Sequence, residues 1–101
     1  MYYIYMLRCK DNSIYTGITT DIGRRLKEHL NKTYEKSKYT CFHEAKQIDA
    51  IWETENKSEA CKLEYHINTL TKNKKEEIIK DNDFLKKYLF EKIDINNFKR
   101  M

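Results

Sequence analysis

The fold is decided near the start of the chain, by the stretch YYIYMLRCKDNSIYTGI at residues 2–18. Residues 2–8 are β-branched, aromatic and apolar, which predicts a strand, and residues 14–18 predict a second one. Residues 10–13, Lys-Asp-Asn-Ser, have turn chemistry, because Asp and Asn tolerate left-handed backbone and hydrogen-bond their own main chain. The chain therefore opens with a predicted β-hairpin. Its apolar runs are too continuous for a sheet with one solvent-exposed face, so we expect other elements to pack on both faces.

A helix and a third strand are predicted after the hairpin. Apolar residues at every fourth position from Ile22 to Leu30 predict the helix, which ends near residue 31. Threonine or aspartate at positions 19–21 can cap its start. The polar residues 31–40 predict a loop. Residues 47–54 then alternate imperfectly between apolar and polar side chains, which predicts the third strand.

Further helices are predicted in the second half of the chain. The capping-box spacing of Asn56 and Glu59 announces one of them. Another begins at Thr71 or Asn73, and residues 83–91 form the last. The predicted fold class is α/β (mixed α+β), with a small, mostly antiparallel three-stranded sheet flanked by three to four helices in the order ββαβαα.

The composition suits one small domain of 101 residues. We expect a main domain over residues 1–80, with a C-terminal helix and tail over 81–101 that packs on it or trails from it. The net charge of +4 comes from residues 1–41 and can attract phosphate, but it is too mild to identify a partner. Three widely spaced cysteines argue against a disulfide framework and a zinc site. No apolar run reaches the ~18 residues of a membrane span and no signal peptide is apparent, so we expect a cytoplasmic protein.

Three features of the first thirty residues stand out together. Tyrosines lie on both predicted strands of the hairpin. Gly17 lies inside the second strand, where glycine is costly unless a backbone or a ligand must come close. Arg25 and His29 are four residues apart and share a helix face that borders the core. Only four of the 20 basic residues are arginines, and a planar bidentate donor suits phosphate in a way that lysine does not.

In their order and spacing these residues resemble the GIY-YIG nuclease domain, and most closely its small stand-alone bacterial members. The resemblance spans about residues 2–79 and is carried by Tyr3-Ile4-Tyr5, Tyr15-Thr16-Gly17, Arg25, His29 and Glu64. It implies a metal-dependent endonuclease that hydrolyses phosphodiester bonds by in-line attack of water. Glu64 is the implied ligand of one divalent ion, Mg²⁺ or Mn²⁺. We expect a nucleic-acid substrate, DNA rather than RNA, recognised by structure. A partner protein is left open.

The resemblance also implies a role for each residue. Arg25 would clamp the scissile phosphate and stabilise its added charge. Tyr5 would take the proton of the attacking water, directly or through His29, which requires a pKa below the ordinary tyrosine value of about 10. Tyr15 would hold a water or the phosphate. The residues expected to contact the substrate are Tyr3, Gly17 and Lys38.

The chain departs from the family pattern in two places. Tyr3 stands where the family name has glycine, and Cys41 follows the basic loop where relatives often have arginine. Many members carry an asparagine beyond the glutamate, and the spacing does not decide between Asn68 and Asn73.

Each residue also has an ordinary structural interpretation. Arg25 would be a surface residue paired with Glu28 or Asp21, and Glu64 would pair with Lys57 or Lys62. Their occurrence in one order favours the nuclease. The main alternative is a nucleic-acid-binding module with the same fold and little or no cleavage. A purely structural domain would bind DNA weakly and without dependence on salt.

Overall fold

The structure, a computed structural model, describes residues 1–31 and 45–101 and the side chains of 1–28 and 45–101. One antiparallel sheet has the strand order β2-β1-β3-β4. The strands are β1 (Tyr2–Cys9), β2 (Ile14–Thr19), β3 (Ala45–Thr54) and β4 (Lys99–Arg100). The α-helices of the described ranges are α1 (Ile22–Asn31), α2 (Lys57–Asn68), α3 (Lys72–Lys80) and α4 (Asp83–Leu89), and a 3₁₀ turn spans Ile95–Asn97. No described helix has the length and apolar character needed to cross a bilayer.

The predicted hairpin is confirmed, and its turn is closed by local hydrogen bonds. Asn12 adopts a left-handed φ of 70°, and its N–H donates to the carbonyl of Cys9 at 2.9 Å. The N–H of Ser13 donates to the Asp11 carboxylate at 3.0 Å. These are the conformations and contacts that Asp and Asn favour in turns.

Side-chain caps start three of the described helices where the sequence predicts them. Asp21 accepts from the N–H of Arg24 at 3.0 Å at the start of α1. Asn56 caps α2 by accepting two backbone N–H groups at 2.8 and 3.3 Å. Thr71, one of the two starts predicted for α3, accepts from the N–H of Lys74 at 3.3 Å. Each cap satisfies donors that have no partner within the helix.

The expectation of three strands is wrong, because β4 adds a fourth strand to the sheet. It pairs with β3 through Arg100 opposite Trp52 and Lys99 opposite Glu53. The Arg100 guanidinium lies 5.1 Å from the Trp52 ring and donates to the carbonyls of Ile78 and Ile79 at 3.1 and 3.0 Å. A strand of two residues has no alternation to read, so the sequence pattern does not reveal it.

Both faces of the sheet are covered, as the continuous apolar runs predict. We call the larger group of buried residues the large cluster. It joins β1 and β3 to α2, α3 and α4. Its members are Ile4, Met6, Ala50, Trp52, Ala60, Leu63, Ile67, Ile78, Leu85, Leu89 and Ile93. The small cluster on the opposite face comprises Tyr5, Leu7, Cys9 and Ala45, with Tyr15, Ile22, Ile48 and Ile51 packed against it.

A β-bulge explains the imperfect alternation of the third strand. Met6 pairs with Ala50, whereas Leu7 pairs with Ile48, so Asp49 is an extra residue on β3. Ala50 therefore faces the large cluster and Ile48 the small cluster, although they are two residues apart. An inserted residue has this effect because side chains alternate with a period of two.

The bulge is held by an arginine clamp centred on Arg8, whose side chain is 11% exposed. Its Nε donates to Asp49 at 2.9 Å, and its Nη1 donates to Glu76 of α3 at 2.7 Å and to the Asn12 side chain at 3.1 Å. A second bond joins Nη2 to Glu76. The guanidinium lowers the pKa of Glu76, as expected for a bidentate charge-assisted pair. One side chain thus connects the hairpin turn, β3 and α3.

Candidate active site

The ring of Tyr5 lies across Gly17 on the neighbouring strand. Tyr5 on β1 and Gly17 on β2 are paired in register. A Cβ at Gly17 would lie 2.5 Å from the Tyr5 hydroxyl oxygen and 2.6 Å from Cζ. The Tyr15 ring is close by, with its centroid 6.2 Å from that of Tyr5. The space beside the Gly17 Cα is therefore filled by Tyr5, which gives the glycine a packing role; its contact with a substrate backbone stays a prediction.

Arg25 is directed inward, while its neighbour Arg24 is directed outward. The Arg25 side chain is 16% exposed, and that of Arg24 is 62% exposed. The Nε of Arg25 donates to the Tyr5 hydroxyl at 3.3 Å, and its Nη1 lies 3.2 Å from the Glu28 carboxylate. The ordinary pairing with Glu28 and the contact with Tyr5 therefore occur together. In the sequence, pairing with Glu28 was the ordinary structural interpretation of Arg25. In the structure, Glu28 lies three residues further along the helix and helps to orient Arg25.

Tyr5 is a neutral phenol in this environment. Burial raises its pKa to about 12, the hydrogen bond from Arg25 lowers it, and Tyr15 and Glu64 add smaller increases. Arg25 therefore acts in the expected direction, but burial outweighs it. The depressed pKa that a general base requires is not produced by these protein groups alone.

Glu64 is a half-buried carboxylate on α2, one position after the buried Leu63. Burial raises the pKa of its carboxyl group. It makes no hydrogen bond or ion pair within the described part of the chain. Lys62, one of the two lysines expected to pair with it, lies 3.5 Å from Glu59 instead. Its charge acts on Tyr5, so the two side chains lie within electrostatic reach of each other. A partly desolvated carboxylate without a cationic partner in the described residues favours a bound cation.

The donor set at this place suits a hard cation with few protein ligands. Within residues 1–28 and 45–101 no three His, Cys, Asp or Glu side chains form a metal-binding group. Mg²⁺ commonly binds through one or two carboxylates and keeps several waters, with substrate phosphates as further ligands. The carboxylate of Glu64 therefore fits a divalent ion that shares its coordination with water and phosphate.

The structure brings together Tyr5, Tyr15, Gly17 and Arg25, and it places Glu64 within electrostatic reach of Tyr5. Tyr3 lies two positions before Tyr5 on β1 and is half-buried. His29 lies on the backbone of α1, but its side chain is outside the described part. Lys38, Cys41 and most of the predicted loop also lie outside it. Asn68 lies one helical turn after Glu64 and Asn73 in the first turn of α3, and both are exposed.

Comparison with known proteins finds a matching family model, similar proteins and a similar solved structure. Residues 1–77 match the model of the GIY-YIG catalytic domain. A UPF0213 protein of Fusobacterium nucleatum subsp. nucleatum is 41% identical over 101 residues, covering 99% of this chain and 92% of the relative. A UPF0213 protein of Halalkalibacterium halodurans is 40% identical over 78 residues, covering 77% and 81%. The solution NMR structure of a UPF0213 protein from Bacillus halodurans aligns with a TM-score of 0.50 at 36% identity, covering 79% of this chain and 84% of that one.

Proposed function

Because the chain belongs to the GIY-YIG catalytic domain family, whose members are in general nucleases, we propose that it hydrolyses phosphodiester bonds in nucleic acid. The observation that carries the proposal is the contact of Arg25 with Tyr5, made within electrostatic reach of Glu64, which has no cationic partner among the described residues. The proposed substrate is DNA, recognised by its structure. With a net charge of +4, the chain supplies only modest electrostatic attraction, which suits structure-guided binding.

Arg25 is the proposed phosphate clamp. A phosphodiester gathers negative charge on its non-bridging oxygens as water attacks, and a preorganised cation stabilises that charge. The contacts with Tyr5 and Glu28 orient the planar guanidinium before substrate arrives. Such a planar donor can hold two phosphate oxygens at once.

Glu64 is the proposed ligand of a divalent ion, Mg²⁺ or Mn²⁺. When bound, such an ion supplies positive charge to the phosphate and lowers the pKa of coordinated water. The carboxylate of Glu64 offers hard oxygen donors, and its lack of a cationic partner in the described residues leaves it available.

Tyr5 is proposed to hold the attacking water. With a pKa of about 12, its phenol is protonated at neutral pH and can both donate and accept a hydrogen bond. It becomes a proton acceptor only where additional positive charge lowers its pKa. Tyr15, packed against Tyr5, is proposed to hold a second water or a phosphate oxygen. Roles for His29 as a proton relay and for Tyr3 and Lys38 as substrate contacts remain predictions.

A cleavage assay with matched variants tests the proposal. Labelled single-stranded, flapped and branched DNA is incubated with the protein in Mg²⁺, Mn²⁺ or EDTA. Glu64→Ala is expected to abolish cleavage and to retain or slightly tighten DNA binding, because it removes a negative charge. Glu59→Ala, on the same helix and paired with Lys62, is the control and is expected to cut as the wild type does.

The adjacent arginines give a second matched pair for the same assay. Arg25→Ala is expected to slow cleavage roughly 10²–10³-fold, the usual effect of losing one charge-stabilising donor. Arg24→Ala removes an exposed arginine and is expected to change the rate less than about twofold. Wild-type rates for Glu64→Ala would refute the assigned site. Salt-sensitive binding without any cleavage would favour the nucleic-acid-binding module, and the panel would then be repeated on RNA.

A further inference from the structure

One glutamate on α1 contacts two arginines that face in opposite directions. The Oε2 atom of Glu28 accepts from Nη1 of the inward Arg25 at 3.2 Å, and its Oε1 atom accepts from Nη1 of the outward Arg24. The Glu28 side chain is 19% exposed, close to the value for Arg25 and far below that for Arg24. Glu28 and Arg25 therefore form the inner pair of the three, which water and salt screen least.

The contacts of Arg25 decide how a phosphate can bind to it. A guanidinium can hold two oxygens side by side along either of two edges, one between Nε and Nη2 and the other between Nη1 and Nη2. Nε donates to the Tyr5 hydroxyl and Nη1 to Glu28, so each edge includes a nitrogen that already has a partner. Tyr5 is a neutral phenol and can remain when an anion arrives. Glu28 has the same sign of charge as a phosphate, and two anions beside one cation repel each other.

We propose that Glu28 occupies the phosphate-binding end of Arg25 in the free protein and withdraws toward Arg24 when the scissile phosphate binds. The inference rests on the proposed function and adds a positioning residue to it. A carboxylate suits this place, because a guanidinium binds its two oxygens in the same bidentate way as two phosphate oxygens. The contact with Arg24 gives the withdrawn carboxylate a cation, although such an exposed pair contributes little.

The burial of Arg25 gives Glu28 a reason to be there. A mostly buried cation has lost much of its hydration, so the free protein must compensate its charge with an anion. Glu28 does so from a position three residues further along the same helix, a spacing that allows an ion pair. The same carboxylate opposes a phosphate once substrate arrives. Removing its charge should therefore tighten binding, whereas a residue that only orients Arg25 would weaken binding when it is replaced.

The test replaces Glu28 with glutamine, which keeps the length of the side chain and an oxygen that accepts from Arg25 but removes the charge. Affinity for single-stranded and flapped DNA is measured in EDTA, so that binding is separated from metal-dependent cleavage. Glu28→Gln is expected to bind about fivefold tighter, the upper range for one such ion pair. Glu59→Gln is the control, because it changes the net charge equally, its side chain is 21% exposed and its lysine partner is also three residues away. It is expected to change affinity less than about twofold.

Two further readouts show whether the effect passes through Arg25. In an Arg25→Ala background, Glu28→Gln should change affinity no more than Glu59→Gln does, because the cation is missing. Single methylphosphonate linkages, each of which removes the charge of one phosphate, are also placed along the DNA. At the phosphate that contacts Arg25, the loss of affinity should be about fivefold larger for Glu28→Gln than for the wild type. At all other positions the two proteins should respond alike, since only groups in contact are coupled.

The outcomes are distinct for this inference and for the proposed function. Binding by Glu28→Gln that is weaker than that of the wild type, equal to that of Glu59→Gln, or still tightened in the Arg25→Ala background would overturn the role of Glu28 while cleavage by the wild type stands. If the wild type neither binds nor cuts nucleic acid, the proposed function fails, and the role of Glu28 fails with it.

Discussion

Gly17→Ala is expected to destabilise the protein chiefly through contact with the ring of Tyr5, with a lesser contact to Tyr15 Cε2 at 3.0 Å. The new Cβ would lie 2.5 Å from the hydroxyl oxygen and 2.6 Å from Cζ, against roughly 3.5–4.0 Å for an ordinary contact. Tyr5 is fully buried, so its ring must displace its neighbours to move. Overpacking costs up to about 3 kcal/mol, and alanine recovers up to about 1 kcal/mol over glycine in a strand. The expected net loss is about 2 kcal/mol, or roughly 8–16 °C in Tm.

Urea denaturation of five proteins tests this reasoning. Gly17→Ala is made in the wild type and in Tyr5→Ala, where the Tyr5 ring is missing and the same substitution should cost much less, because only the Tyr15 contact remains. Gly23→Ala is the control, since its Cβ would meet nothing closer than 3.8 Å, and in a helix it should stabilise the protein by about 1 kcal/mol. An equal cost of Gly17→Ala in both backgrounds would refute the assignment, because the loss could then not come from the Tyr5 ring.

Two further predictions concern Tyr5 and Arg8. The pKa of Tyr5 is raised to about 12 from an unfolded value of about 10, so its stabilising contribution is complete below pH 10 and is lost as pH rises to 12, by up to about 3 kcal/mol. Tyr5→Phe should remove that part of the pH dependence in urea denaturation between pH 9 and 12, and an unchanged slope would contradict a buried neutral phenol. Arg8→Ala leaves Asp49 and Glu76 without their cation and should cost about 3 kcal/mol. Arg8→Lys should restore less than half of that loss, because lysine lacks the bidentate fork. Arg24→Ala is the exposed control, and a loss as large as that of Arg8→Ala would argue against the clamp.

Features set by neighbouring residues could be predicted from the sequence. The turn at Asn12 and the caps at Asp21 and Asn56 depend on groups within three residues of each other. Their chemistry is legible without knowing the fold. The continuous apolar run of β1 likewise predicted packing on both faces, because a central strand buried on two sides needs no polar alternation.

Features that join distant residues could not be predicted. Arg8 meets Asp49 and Glu76, which are 41 and 68 residues away in the chain. The bulge at Asp49 appears only once β1 and β3 are in register. The two-residue β4 depends on the contacts of Arg100, which lies over the Trp52 ring and donates to two helix carbonyls.

Part of the candidate site could likewise be predicted from the sequence, and part could not. The order of its residues identified Tyr5, Tyr15, Gly17, Arg25 and Glu64 as a group. The sequence could not show that Gly17 makes room for Tyr5, since that requires the register of β1 and β2. Nor could it show the direction of the Tyr5 pKa, which is decided by burial rather than by its charged neighbours.

The two faces of the sheet give this fold a way to change its chemistry during evolution. The large cluster joins β1 and β3 to α2, α3 and α4, whereas Tyr5 belongs to the small cluster on the other face and Tyr15 packs against it. Cores tolerate exchanges that conserve volume, so the large cluster can drift without moving the tyrosines. Replacements around Tyr5 can in turn alter the groups proposed to act on the phosphate while the larger core keeps the chain folded. Descendants of one such chain could thus diverge in activity before they diverge in structure.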